Sequence, residues 1–142
     1  MDAWGVPLRG HATTWSVPGK QSSLEQKTII SGKNPTWFEL NPTLEALWNR
    51  TDDCSQRYAQ KLTQWDVLNE PLHGNVFLSA FPDYEGNLWA DIISHVTDND
   101  PGVKTAINDY NIARADKGRC FNQLTSGVSI DYTGLQSQGF RK

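Results

Sequence analysis

The chain has 142 residues, 37% of them hydrophobic and 20% charged, a balance that fits one domain with a moderate core and gives no argument for disorder. Its formal net charge of −3 leaves no basic footprint for nucleic acid or an anionic membrane surface. Cys54 and Cys120 are too few and too far apart for a metal cluster or a disulfide framework, and no stretch approaches the roughly eighteen apolar residues of a membrane span.

A first strand is expected near Val6 to Thr14, carrying Arg9-Gly10-His11 and leading to Trp15. A loop rich in Ser, Gly, Lys and Pro then runs to Asn41, which with Pro42 resembles an N-cap and a first helical position. Leu44, Leu47, Trp48, Thr51, Tyr58 and Leu62 follow mostly at helical spacing and predict a face that packs on a sheet. The second strand, Leu62 to Asn69, lies in the run Gln64-Trp65-Asp66-Val67-Leu68-Asn69-Glu70-Pro71. Leu62, Val67 and Leu68 give it apolar packing, and its C-terminal tip delivers Asn69 and Glu70 where parallel α/β folds keep their chemistry. Pro71 stops the ladder.

Leu88, Trp89, Ile92, Ile93 and Val96 hold the i, i+3, i+4 rhythm of a helix until Asp100-Pro101-Gly102 ends it. A third strand is expected from Val103 to Asn108, with Asp109, Tyr110 and Asn111 at its tip. A last helix from about Ala113 to Ser126 has Phe121 and Leu124 to bury and Gly127 to close it. The fourth strand, Val128 to Leu135, leads to Gln136 and Gln138.

Strand and helix in alternation predict βαβ units and a parallel sheet, which brings the polar strand tips to one rim. Glu70 and Asp109 are 39 residues apart and Asp109 and Gln136 are 27 apart. These intervals sit near the roughly 31 per unit of an eight-unit barrel of about 250 residues. The expected fold class is therefore α/β, a partial (β/α)8 TIM barrel of about four of eight strand-helix units. A doubly wound open sheet competes, but no Gly-rich phosphate loop follows any strand. Six tryptophans are many for this length; indoles gathered at a cleft present flat apolar faces to ligands such as sugar rings, although tryptophan is also often structural.

Four segments carry a resemblance to glycoside hydrolase family 10, the endo-β-1,4-xylanases: Arg9-Gly10-His11 through Trp15, Trp65 through Glu70, Ile107-Asn108-Asp109-Tyr110-Asn111, and Ile130-Asp131 through Ser137. They stand in the family's order at compatible intervals across nearly the whole chain. The resemblance implies a (β/α)8 barrel, with these segments as its third to sixth strands and residues 1–142 an incomplete catalytic domain. It matches Glu70 to the general acid/base and Asn69 to the amide that holds the sugar 2-hydroxyl. A retaining glycosidase needs such a carboxyl, first to protonate the leaving oxygen and then to activate water. His11 and Trp15 match positions lining the sugar cleft, and Gln136 matches a polar residue beside the nucleophile. Asn111 matches a position at the rim, and Asp109 matches one that orients neighbours.

Gln138 stands where the family usually has histidine, and a neutral amide cannot become a cation. The family's nucleophile is a glutamate on the seventh strand, which the resemblance places beyond Lys142. The expectation is a piece of a longer enzyme, secreted like others with polymeric substrates and without measurable xylanase activity on its own. Its implied partner is β-1,4-linked xylan, with no cofactor, metal, nucleic acid or membrane. Oligomeric state is left open. The alternatives are a non-catalytic polysaccharide-binding or interaction protein derived from the barrel, a related β-glycanase, and a pairing of Glu70 with Asp109 as second carboxylate.

Overall fold

The computed structural model describes residues 5–16, 43–74, 76–110, 112 and 115–136. Four strands alternate with helices in the order β1 (Arg9–Trp15), α1 (Leu44–Tyr58), β2 (Gln64–Asn69), α2 (Val76–Ala80), α3 (Leu88–Asn99), β3 (Lys104–Tyr110), α4 (Ala115–Thr125) and β4 (Tyr132–Gln136). Every neighbouring pair is parallel and the sheet order is β1-β2-β3-β4. All four C-terminal tips therefore lie along one rim, the arrangement in which βα units place their functional loops. Among the described residues no helix is long and apolar enough to cross a membrane.

Thr43 caps α1, its Oγ1 accepting from the Ala46 N–H at 3.1 Å. Asn41 and Pro42, expected in that role, lie outside the described residues. The buried stripe of α1 is Leu47, Thr51, Cys54 and Ser55. Thr51 and Ser55 bury because their hydroxyls donate to the carbonyls of Leu47 and Thr51 at 2.9 and 2.8 Å. The expected apolar spacing holds for most of this face: Leu47 and Thr51 are buried and Leu44, Trp48 and Leu62 pack against the core, whereas Tyr58 is 39% exposed and Leu62 lies beyond the helix.

The five apolar residues of α3 are all buried, as their spacing predicts, under an Asn87 cap. Asp100 ends the helix, and its buried carboxylate accepts from the Gln60 N–H at 3.0 Å, tying the C-terminal ends of α1 and α3 together. α2 is a single short turn without a sequence signal of its own. α4 is close to expectation, with Phe121 and Leu124 packed against the core and Gly127 at φ +77° behind it.

The core lies between α1, α3 and one face of the sheet, where Leu47, Trp65, Leu68, Trp89, Ile92, Val96 and Ile107 are buried. Each large aliphatic side chain in it contributes about 1.5–3 kcal/mol. Trp65 and Trp89 are thus core residues, and Trp48 stacks on His95 between α1 and α3 at 4.4 Å. Of the described indoles only Trp15 reaches the rim; Trp4 and Trp37 lie outside the described residues.

Val67 decides which side chains face the open side of the sheet. Between the pairs Asp66–Ala106 and Leu68–Ile107 it has no counterpart on β3, and across from it on β1 stand both Ala12 and Thr13. These bulges break the two-residue alternation. Asp66 and Asn69, three positions apart, come to the same face, opposite Trp65, Val67 and Leu68 in the core.

Candidate active site

The open face of the sheet is polar in layers. Deepest, Asp66 is almost fully buried and accepts hydrogen bonds from the Arg9 guanidinium, whose Nε lies 3.0 Å from both carboxylate oxygens. His11 Nδ1 lies 2.9 Å from Asp66 Oδ2. The geometry therefore puts His11 below the strand tip, held by a carboxylate, with its ring edge-on to Trp15 at 5.4 Å. Arg9 and His11 are each nearly half exposed on this face.

One layer up is an amide cluster. Asn69 is fully buried, and its Oδ1 accepts from Asn108 Nδ2 at 2.7 Å and from Gln136 Nε2 at 3.1 Å. Two donors on one oxygen orient the amide, because only the carbonyl side can accept. Asn69 Nδ2 is left buried without a partner among the described residues. An unsatisfied buried donor costs about 1–3 kcal/mol.

The uppermost layer carries Glu70. The ladder ends at Asn69, Glu70 adopts φ +55°, and its N–H still reaches the Asn108 carbonyl at 2.8 Å. This left-handed residue swings its carboxyl back toward β1, where the Trp15 Nε1–H donates to Oε2 at 2.9 Å. An indole can only donate. It fixes one oxygen and leaves Oε1 without a hydrogen-bond partner among the described residues. Tyr110, at the tip of β3, shares the surroundings: burial first, then the charges of Glu70 and Asp109, hold its hydroxyl above the usual tyrosine value.

Asp109 is directed differently. Strand alternation from Asn108 turns it to the other side of β3, where it is fully buried and accepts from Leu72 N–H at 2.9 Å, Tyr110 N–H at 2.7 Å and His73 Nδ1 at 2.6 Å. Both oxygens are committed to hydrogen bonds, so Asp109 orients its neighbours and does not present a free carboxylate beside Glu70. Asn111 and Gln138 lie outside the described residues. No group of three or more His, Cys, Asp or Glu side chains able to hold a metal forms among the described residues.

The structure brings Trp15, Asn69, Glu70 and Gln136 together at one rim and adds Asn108, Tyr110, Asp66 and Arg9 to the same face. Asn108 and Tyr110 were legible in principle, since Ala106, Asn108 and Tyr110 follow an unbroken period of two. Asp66 was not, because the bulge at Val67 hides it. His73 carries no sequence signal; it enters only through the turn that follows Glu70.

Residues 2–140 match Glycosyl hydrolase family 10. Endo-1,4-beta-xylanase 3 of Hypocrea jecorina is 34% identical over 145 aligned residues, which cover 94% of this chain and 38% of that protein. Anti-sigma-I factor RsgI6 of Acetivibrio thermocellus is 28% identical over 138 residues, covering 92% of this chain and 16% of the relative. A solved structure described as the catalytic core of xylanase A superposes with a TM-score of 0.69 at 21% identity, over 94% of this chain and 41% of the other. The four parallel strands are thus part of a barrel of that fold, and the chain spans well under half of each of these relatives.

Proposed function

Because this chain belongs to glycosyl hydrolase family 10, which includes endo-1,4-β-xylanases, we propose that residues 1–142 are an incomplete catalytic domain of a retaining enzyme that hydrolyses β-1,4-xylosidic bonds. The observation that carries this reading is the pairing at one rim of a carboxyl held on one oxygen by Trp15 with a buried amide donor, Asn69 Nδ2, that has no partner among the described residues. Glu70 is the general acid/base. Its unbound Oε1 delivers the proton to the leaving oxygen and recovers it from water in the second half-reaction. Asn69 donates to a sugar hydroxyl, Gln136 and Asn108 hold it in that orientation, and Trp15 and His11 form the wall beside it. Asn111 and Gln138 are assigned to the rim by family resemblance.

A retaining mechanism needs a second, nucleophilic carboxylate about 5–5.5 Å from the first. Asp109 does not supply it, because its oxygens are occupied on the far side of β3. The 142 residues alone therefore bind xylo-oligosaccharide without cleaving it. The polymeric substrate lies outside cells, which makes the whole protein a secreted one.

Calorimetric titration of the chain with xylopentaose tests this. Binding is expected, weakened roughly 3- to 10-fold by Asn69→Ala for one lost hydrogen bond. Equal affinity of Asn69→Ala and the parent chain, or a folded chain that binds no xylo-oligosaccharide, refutes the site. Turnover by the chain alone, abolished by Glu70→Gln, refutes the need for a second carboxylate.

A second reading is a non-catalytic protein derived from the barrel that binds polysaccharide without hydrolysing it; one relative that this chain matches in part is named as an anti-sigma-I factor rather than as a hydrolase. Release of shorter xylo-oligosaccharides by a longer form of the protein containing this segment, lost on Glu70→Gln, separates the enzyme from the binder.

A further inference from the structure

Glu70 sits on a turn with little support of its own. Its φ of +55° is one that side-chain-bearing residues rarely adopt, and the only backbone hydrogen bond within the turn runs from His73 N–H to the Glu70 carbonyl at 3.1 Å. On its outer flank the turn borders an open depression of about 320 Å³ lined by Pro71, Leu72, His73, Gly74 and Leu78.

The restraint comes from β3. Asp109 Oδ2 accepts from Leu72 N–H, and Oδ1 faces His73 Nδ1 at 2.6 Å. Because Tyr110 N–H already donates to the same Oδ1, and a carboxylate offers no proton, Nδ1 carries the hydrogen. The His73 ring lies flat on Tyr110, with centroids 3.4 Å apart and planes 16° apart. Lys117, from α4, adds a bond from Nζ to the Leu72 carbonyl at 3.3 Å.

We propose that His73 is a positioning residue: clamped between the buried Asp109 carboxylate and the Tyr110 ring, it locks the turn 70–73 onto β3 and so keeps the Glu70 carboxyl aimed at Trp15. The functional meaning of this clamp rests on the reading of Glu70 as acid/base. The clamp itself is a matter of geometry and is tested without substrate. A histidine suits the position because a planar ring stacks on tyrosine while one edge donates to the carboxylate; phenylalanine would stack without donating, and asparagine would donate without stacking.

The test follows the Trp15 Nε1–H resonance of the 142-residue chain, identified by its loss in Trp15→Phe, as the pH is lowered through the range where carboxylates protonate. In the parent chain the resonance moves with pH because its acceptor is Glu70 Oε2, and Glu70→Gln abolishes that movement. His73→Phe, which keeps the stack and removes the donor, loses the movement, and His73→Asn recovers part of it. An unchanged Trp15 titration in a folded His73→Phe chain overturns the proposal. Where His73→Phe collapses the other indole resonances, His73→Leu is read instead: it removes the donor with less bulk against Tyr110, and a parent-like Trp15 titration there overturns the proposal just as directly. A chain that loses the titration in His73→Phe yet binds no xylopentaose keeps the clamp and removes the carbohydrate reading.

Discussion

Gly134→Ala is the substitution with the most to say about the amide cluster. A Cβ built at Gly134 falls 2.3 Å from Asn108 Oδ1 and 2.8 Å from Arg9 Nη2. Both are far inside van der Waals contact, and Asn108 is 7% exposed, so its short side chain has nowhere to retreat. Relief requires rotating the Asn108 amide away from Asn69 Oδ1, which breaks the 2.7 Å bond between them. Overpacking of a filled site costs about 1–3 kcal/mol. Losing one neutral buried hydrogen bond adds about 0.5–1.5 kcal/mol. An expected destabilisation of about 2–3 kcal/mol is read from urea unfolding as a lowered midpoint at constant slope. The decisive arm is a cycle: in an Asn108→Ala background only the contact with the half-exposed end of Arg9 remains, and Gly134→Ala should then cost at least about 1 kcal/mol less than in the parent chain. Equal costs in the two backgrounds would show that the methyl is accommodated elsewhere and that the amide cluster is not the tight layer described.

Gly10→Ala is expected to cost about 1–3 kcal/mol, because its Cβ meets the core ring of Trp65 at 2.2–2.6 Å; Trp65→Leu in the same chain should recover much of the loss in a thermal melt. Burial pushes the Cys54 thiol up, while Cys120 is free and exposed on α4, so alkylation under native conditions should modify Cys120 fast and Cys54 only on unfolding; equal rates would contradict the packing of α1. The Lys104 hydrogen bond, then the Thr105 N–H, hold Asp131 below the usual carboxylate value of 3.8. A depressed carboxylate contributes stability that is fully present above its unfolded value and lost as pH falls through its folded one. Asp131→Asn should therefore flatten the acid side of the stability curve below about pH 4, and an unaltered slope in acid unfolding would remove this link between the start of β4 and β3.

The amino-acid order alone was enough for the strand-helix alternation, the parallel half-barrel and the rim that holds Trp15, Asn69, Glu70 and Gln136. These depend on short-range signals. The five apolar residues of α3 recur at the helical period and all bury, Gly127 ends a helix where a positive φ is needed, and Asn69-Glu70 close a strand just before a proline. What the order of residues could not decide is which way a side chain faces once strands pair. The bulge at Val67 turns Asp66 and Asn69 to one side, and it exists only in the register with β1 and β3. Trp65 became core rather than cleft by that same register, and Ser55 was buried through a bond to its own helix that hydrophobic spacing does not encode. His73 acquired its place through Asp109, 36 residues away, because a buried carboxylate must find its donors wherever the fold brings them.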